Sequence, residues 1–218
     1  DDCSSRGLGD VYKRQNKKPA TKNLKLEAMC DLFSKTKKLY IKTNYIKEIV
    51  AAVQFAKKYE LELVIVGGRD AWMATDILKE NNVAIVINKT HALPSRSHED
   101  VDLPYKLPKI LQDAGILYCI TVGSGWDGFW DQRNISFEAG TAAAYGLTKE
   151  EALMSITSNA AKILGIDETV GTLEKGKDAT LIVSKGDVLD MRTNHMEQAF
   201  IRGTVSYTHL TLPTSYPV

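Results

Sequence analysis

Short apolar runs alternate with amphipathic segments through the middle of the chain, and this alternation predicts the fold. The apolar runs have the length of strands, and they predict strands at residues 38–42, 61–66, 83–88 and 116–122. The segments between them carry apolar residues near helical spacing, for example Ile46, Ile49 and Val53. Strands that are apolar on both faces and separated by helices are typical of a parallel sheet made of right-handed βαβ units. The pattern therefore predicts an α/β protein.

The pattern changes after a helix that is predicted to begin at residue 148. Thr148 followed by Glu151 is a capping box, in which each of the two side chains accepts a hydrogen bond from the other residue's backbone. Beyond this helix the chain has short strand-like runs and glycine turns, in "DATLIVSKG" and "MEQAFIRG". Such strands do not extend a parallel sheet, so they predict a small β appendage.

The two ends of the chain differ from its middle. Residues 1–15 have neither periodicity nor the charged and apolar regions of a signal peptide, and residues 205–218 contain Pro213 and Pro217, which remove strand hydrogen-bond donors. Both ends resemble the translated sequencing-adaptor segments found at the edges of reading frames in bacterial metagenomic assemblies. We expect artefact-like arms with few contacts to the core. The alternative is a genuine arm and a genuine terminal strand.

Composition excludes several classes of protein. The chain has 218 residues, of which 44% are hydrophobic and 25% are charged, as expected for a soluble globular protein. No apolar run reaches the roughly 18 residues of a membrane span, and both the cytoplasm and the periplasm stay open as its compartment. The 3 cysteines are widely spaced, so neither a disulfide framework nor a zinc knuckle is indicated. The lysines near the amino end are scattered and lack the aromatic interleaving of a nucleic-acid groove, which argues against nucleic-acid binding.

The carboxyl-terminal part of the middle resembles a known family. The segments "AYGLTKEEALMSITSNAAKILGI" and "VGTLEKGKDATLIVSKGD" resemble the signature of the amidohydrolase superfamily, in its imidazolonepropionase-like branch. The resemblance runs from about residue 24 to residue 203. Members are (β/α)8 TIM barrels with a small β-sandwich, so it implies the second half of a barrel, with about four parallel strands, followed by sandwich strands. The domains that it implies are an arm (1–15), a half barrel (16–165), sandwich strands (166–204) and a tail (205–218).

The resemblance also implies where a metal would bind. In the family, histidines at the ends of the fifth and sixth barrel strands and an aspartate at the end of the eighth bind zinc or another divalent metal. The metal lowers the pKa of a bound water, which then attacks the substrate. The matching positions in this chain are Lys42, Gly67 and Gly125. None of these supplies the family's ligand, so we expect no metal cofactor on this chain.

Other residues near the predicted strand ends are candidates for the site, because barrel active sites lie at the carboxyl ends of the strands. Asp127 is a candidate catalytic carboxylate, although a solvated loop residue or a helix cap is the alternative. His91, in the loop after the third strand, is a candidate substrate contact, and its distance in sequence from His98 is not a metal-ligand spacing. Arg69 could assist phosphate binding at the start of the following helix, and Arg133 is a further candidate substrate contact.

Three hypotheses about function follow. The first is an enzyme of the family's type, which cleaves a C–N bond in a small cyclic amide. Its missing metal ligands would come from the absent half of the barrel or from a partner chain. The second is a degenerate, metal-free homologue that binds a small molecule or pairs with a paralogous partner or a second copy of itself. The third is a fragment that is inactive alone, since half a barrel leaves two sheet edges unpaired. The third is compatible with either of the others.

Overall fold

A parallel sheet forms the centre of the fold. The computed structural model describes residues 23–123 and 126–208. Four strands form this sheet in the order β1-β2-β3-β4, and their bounds are Leu39–Thr43, Leu63–Gly67, Ala84–Ile87 and Tyr118–Ile120. Each strand lies within a predicted range or within one residue of it. The prediction of a half barrel with parallel strands is confirmed.

Hydrogen bonds fix the register of the sheet. Residues 39–43 of β1 pair in parallel with residues 63–67 of β2. The backbone N–H of Ile85 donates to the carbonyl of Leu117 at 2.9 Å, and that of Thr121 donates to the carbonyl of Ile87 at 2.8 Å. Because both bonds advance in the same direction along the two strands, β3 and β4 are also parallel.

Helices connect the strands, as βαβ units require. Their bounds are α1 Leu24–Glu27, α2 Cys30–Phe33, α3 Ile46–Tyr59, α4 Thr75–Glu80, α5 Leu103–Ala114, α6 Trp126–Asp131, α7 Ile135–Ala144, α8 Lys149–Ile156 and α9 Ser158–Leu164. The predicted capping box is present at the start of α8, where the hydroxyl of Thr148 accepts the backbone N–H of Glu151 at 3.2 Å. In return, the carboxylate of Glu151 accepts the backbone N–H of Thr148 at 2.8 Å.

Contacts divide the chain into two compact units, Asp1–Val86 with Asp113–Leu117 and Ile87–Gln112 with Tyr118–Val218. In the first unit, α3 packs on β1 and β2 through its apolar face. Ile49 on that face is fully buried, which contributes roughly 1.5–3 kcal/mol to folding. In the second unit, α8 packs on α7 and α9, and α8 and α9 contact β4. This division differs from the predicted boundary at residue 165, which stays a prediction.

A separate antiparallel sheet follows the helices. It has the order β5-β6-β7, with bounds Leu181–Ser184, Met196–Ile201 and Thr204–Thr208. Strand β7 is an exposed edge strand that runs across the predicted boundary at residue 204. The rest of the predicted tail and the whole arm lie outside the described residues. Among the described helices, none is long and apolar enough to span a membrane.

Candidate functional site

The first candidate region lies at the carboxyl ends of β1 and β2. In the register of these strands Thr43 pairs with Gly67, and Lys42 pairs with Val66. Side chains of paired residues in a parallel sheet point to the same face, and the next residue along the strand points to the other. Lys42 and Gly67 therefore lie on adjacent strand ends, one register step apart, and the side chain of Lys42 is on the same face as that of Val66.

Both the backbone conformation and the surroundings of Gly67 disfavour any residue with a side chain. Its φ of +111° is a conformation that residues with a side chain rarely adopt. A Cβ at this position would lie 2.5 Å from the Asn44 Oδ1 atom and 2.7 Å from the Thr43 carbonyl oxygen. Both distances are shorter than van der Waals contact, and the second is to backbone. A histidine at position 67 would require the end of β1 to move.

A buried aspartate holds the ends of these two strands together. The side chain of Asp70, which is 1% exposed, accepts the backbone N–H of Ile46 at 3.1 Å. That N–H belongs to the first turn of α3, where helical backbone donors have no partner within the helix. The backbone N–H of Asp70 also donates to the carbonyl of Asn44 at 2.9 Å, and that of Gly68 donates to the carbonyl of Thr43 at 2.7 Å. The loop after β1 is thereby fixed against the loop after β2.

The residues at these strand ends do not fit the family's metal. Position 67 has no ligand atom, and the exposed side chain of Lys42 ends in a cation that repels a metal ion unless it loses a proton. Among residues 23–123 and 126–208, no group of three or more His, Cys, Asp or Glu side chains is placed to hold a metal. Gly125 lies outside the described residues. Asp127 lies in helix α6, but its side chain is outside the part of the chain that the structure describes.

The second candidate region is centred on Glu138, in the second unit. Glu138 lies on α7 with only 4% of its surface exposed, and its Oε2 atom accepts three hydrogen bonds. The donors are the backbone N–H of Thr90 at 2.7 Å, the hydroxyl of Thr90 at 2.7 Å and the backbone N–H of His91 at 2.9 Å. A buried carboxylate requires such partners. Glu138 therefore fixes the start of the loop that follows β3.

His91 lies between Glu138 and a hydroxyl group on the same helix. Its Nδ1 atom is 3.3 Å from the Oε1 atom of Glu138, and its Nε2 atom is 2.5 Å from the Oγ1 atom of Thr141. The Thr141 hydroxyl is also 3.0 Å from the carbonyl oxygen of Phe137. The imidazole is 41% exposed, and its edge faces the ring of Tyr105 at a centroid distance of 6.5 Å. The imidazole thus contacts a carboxylate through one ring nitrogen and a hydroxyl through the other.

A second carboxylate organises the rest of the loop after β3. Glu99 accepts the backbone N–H of Ser95 at 2.8 Å and that of Arg96 at 3.1 Å, and it also pairs with the Arg96 guanidinium. Burial by itself would raise the pKa of Glu99, but the hydrogen bonds from Arg96 and Ser95 outweigh it, so the pKa of Glu99 is lowered. This carboxylate therefore loses its charge at a lower pH than an ordinary glutamate does.

The remaining sequence candidates have exposed side chains. Arg69 follows β2 directly, beside the buried Asp70, and Arg133 lies in the 3-10 turn Gln132–Asn134. His98 is exposed in the loop that also contains His91. The hydrogen bonds and ring contacts of His91 and of the Glu138 carboxylate involve Thr90, Thr141 and Tyr105.

Glu138 was missed by the sequence reasoning, although the chain carries a signal for it. It is the single charged residue in "ISFEAGTAAA", a helix of otherwise small, apolar and hydroxyl-bearing residues. A lone carboxylate among residues that are typical of a helix interior indicates burial, and a buried carboxylate indicates specific donors. The identity of those donors is not visible in the pattern.

The parallel half barrel, with candidate residues in the loops that follow its strands, has the architecture of the barrel hydrolases. Residues 75–208 match the family model described as "Amidohydrolase family". The chain belongs to this family.

Individual relatives agree with this assignment. The chain is 26% identical over 194 residues to an imidazolonepropionase of Flavobacterium psychrophilum, covering 77% of this chain and 47% of that protein. The fold is similar to that of an amidohydrolase from Thermotoga maritima MSB8, with a TM-score of 0.77, 24% identity and coverage of 93% and 51%. It is also similar to an adenosine deaminase from Xanthomonas campestris with bound zinc, with a TM-score of 0.57, 16% identity and coverage of 92% and 55%. The chain spans about half the length of these relatives.

Proposed function

We propose that this chain is the second half of an amidohydrolase-type barrel and that it has no metal-dependent hydrolase activity alone. The chemistry that the family resemblance implies is cleavage of a C–N bond in a small cyclic amide by a metal-activated water. That chemistry needs ligands at defined strand ends. The observation that carries the proposal is the environment of Gly67, where the neighbouring atoms Asn44 Oδ1 and Thr43 O fill the space that a ligand side chain would need.

The position of Lys42 supports the same conclusion. Lys42 pairs with Val66, one register step from position 67, and its side chain ends in a cation and not in a metal ligand of the family's type. Zinc needs at least three N, O or S ligands at about 2.0–2.3 Å. Replacing only Lys42 by histidine would therefore not recreate the family's site.

The test is hydrolysis of a cyclic amide such as hydantoin by the purified 218-residue chain, with and without added zinc. We expect a rate equal to that of zinc in buffer. The matched control is Asp127→Ala, because Asp127 is the carboxylate nearest in sequence to the position of the family's aspartate. Turnover above the zinc blank that a chelator abolishes and that Asp127→Ala reduces would contradict the proposal.

A second candidate function is a metal-free homologue that binds a small molecule, or that pairs with a partner chain. The well-formed loop after β3 favours small-molecule binding, since the buried carboxylate of Glu138 holds the backbone of Thr90 and His91 at the start of the loop. A loop fixed in this way presents a partly exposed imidazole in one orientation. Binding sites are commonly built from loops that a rigid scaffold holds in place.

A further inference from the structure

We propose that Glu138, His91 and Thr141 form a metal-independent acid–base site, in which Glu138 positions His91 so that the Nε2 atom of the imidazole accepts a proton. The three groups lie within one unit of the fold, and they differ from Lys42, Gly67 and Gly125, the positions that the resemblance matches to the family's metal ligands. The ligand class is a small molecule with an N–H or O–H group directed at Nε2. This choice of ligand rests on the proposed function as a small-molecule-binding homologue. The tautomer of the His91 imidazole does not depend on that proposal.

The negative charge of Glu138 favours one tautomer of His91. The carboxylate of Glu138 can only accept hydrogen bonds, and its Oε1 atom is 3.3 Å from Nδ1. The contact is attractive only when Nδ1 carries a proton. In the neutral ring Nε2 then has a lone pair and no proton, because one nitrogen of a neutral imidazole donates and the other accepts. Glu138 therefore selects the tautomer in which Nε2 is the base.

Thr141 caps this base in the absence of a ligand. Nε2 is 2.5 Å from the Thr141 Oγ1 atom, and because Nε2 carries no proton in this tautomer, the hydroxyl is the donor of the hydrogen bond between them. The alternative acceptor, the carbonyl of Phe137, is farther away at 3.0 Å. A ligand N–H or O–H that displaces the hydroxyl takes its place as donor. When the proton moves from the ligand to Nε2, the ligand is left as its conjugate base, and the imidazolium faces the Glu138 carboxylate.

The surroundings of Glu138 predict an unusual effect of one substitution. In Glu138→Gln, the side-chain carbonyl oxygen is required at the Oε2 position, because Thr90 and His91 direct three donors at it. The amide NH2 group then lies at the Oε1 position and donates to Nδ1. The neutral ring must in turn carry its proton on Nε2. The variant should keep its fold and reverse the tautomer.

Nitrogen-15 NMR of the histidine rings, at a pH where they are neutral, tests the tautomer directly. In the unmodified 218-residue chain we expect Nδ1 of His91 to have the chemical shift of a protonated nitrogen and Nε2 that of an unprotonated one. Glu138→Gln should exchange the two shifts, and the control Glu150→Gln, at an exposed site on α8, should leave them unchanged. A protonated Nε2 in the unmodified chain, or no exchange in Glu138→Gln, would overturn the proposal. The measurement on the unmodified chain does not depend on whether any variant folds.

Carbethoxylation by diethyl pyrocarbonate tests the base itself, since the reagent acylates an unprotonated imidazole nitrogen. Peptide mass spectrometry resolves the rate at His91, with His98 as internal reference. Thr141→Val removes the capping hydroxyl and should raise the rate at His91 by on the order of tenfold relative to Thr141→Ser, which keeps it. Glu138→Gln should lower the rate by a similar factor. These opposite directions distinguish a positioned base from a structural contact, and equal rates in Thr141→Val and Thr141→Ser would overturn the proposal.

The two experiments also separate this inference from the proposed function. Neither uses a metal or measures hydrolysis of an amide. A chain that hydrolyses hydantoin with zinc but shows the expected tautomer would refute the proposed function alone. A chain that shows the opposite tautomer and no metal-dependent activity would refute this inference alone.

Discussion

At residue 67 the cost of a side chain has two parts, an unfavourable backbone conformation and a steric clash. Gly67 has a φ of +111°, and a Cβ there meets Asn44 Oδ1 and the Thr43 carbonyl oxygen. Gly176 has a similar φ of +100°, but no atom lies within 4 Å of the Cβ position. Comparing substitutions at Gly67 and Gly176 separates the two costs, because at Gly176 a side chain meets only the unfavourable backbone conformation and no steric clash.

Gly67→Ala should destabilise the protein more than Gly176→Ala does. We expect a loss of about 1 kcal/mol in the free energy of unfolding for Gly176→Ala, from the positive φ alone. For Gly67→Ala we expect about 3 kcal/mol, because the end of β1 must also move. Urea unfolding followed by circular dichroism measures both. Equal losses in the two variants would contradict the described packing at the ends of β1 and β2.

Cys119 should be chemically inert. Burial in β4 raises the pKa of the Cys119 thiol to about 11, from an ordinary value of 9.0. The thiolate is the reactive form, so a rise of this size lowers the reactive fraction at neutral pH by about a hundredfold. We expect iodoacetamide to modify Cys30, which is partly exposed, well before Cys119 in the folded chain. Peptide mass spectrometry of a time course checks this, and equal rates would show that β4 is not buried as described.

At the level of helices and strands, α8 depends on the capping box at its start. Thr148→Ala removes the acceptor for the Glu151 N–H and should cost about 1 kcal/mol, whereas Thr148→Ser keeps the acceptor and should cost much less. Thermal or urea unfolding of the two variants makes the comparison. A serine variant as unstable as the alanine variant would mean that the hydroxyl contributes nothing and that the methyl group matters instead.

The positions of strands and of α8 could be predicted from the sequence because the signals are local. Apolar runs mark the strands, and Thr148 with Glu151 marks the helix start within four adjacent residues. The Glu138 cluster could not be predicted, since Glu138 is 48 residues from Thr90 and 47 from His91 in the chain. Only the folded backbone brings them together. His91 was a candidate by its loop alone, and the residues that orient it were not visible.

The environment of Gly67 was likewise hidden from the sequence. The pattern "IVGG" shows a strand ending in glycine, and the family resemblance shows that a ligand is replaced there. The filled space around the Cβ position depends on the register of β1 against β2, which places Thr43 beside Gly67. Register comes from the pairing of two strands, and neither strand specifies it alone.

At the scale of the whole molecule, the family to which the chain belongs suggests a metal site, whereas the residues at the strand ends do not favour one. The family model covers residues 75–208, and a fold neighbour binds zinc. The positions that match the family's ligands in the first unit carry a cation and a glycine. The amidohydrolase fold is retained, and our proposal is that this half lacks the family's metal site and keeps the acid–base cluster of Glu138.

The zinc content of the purified 218-residue chain tests this account most directly. The chain is dialysed against zinc and then against buffer, and zinc is measured by mass spectrometry of the element while protein is measured by amino-acid analysis. We expect far less than one equivalent, because Lys42 and Gly67 supply no site with three ligands. Retention of about one equivalent, lost in Asp127→Ala, would contradict the account and restore a metal-dependent hydrolase centre.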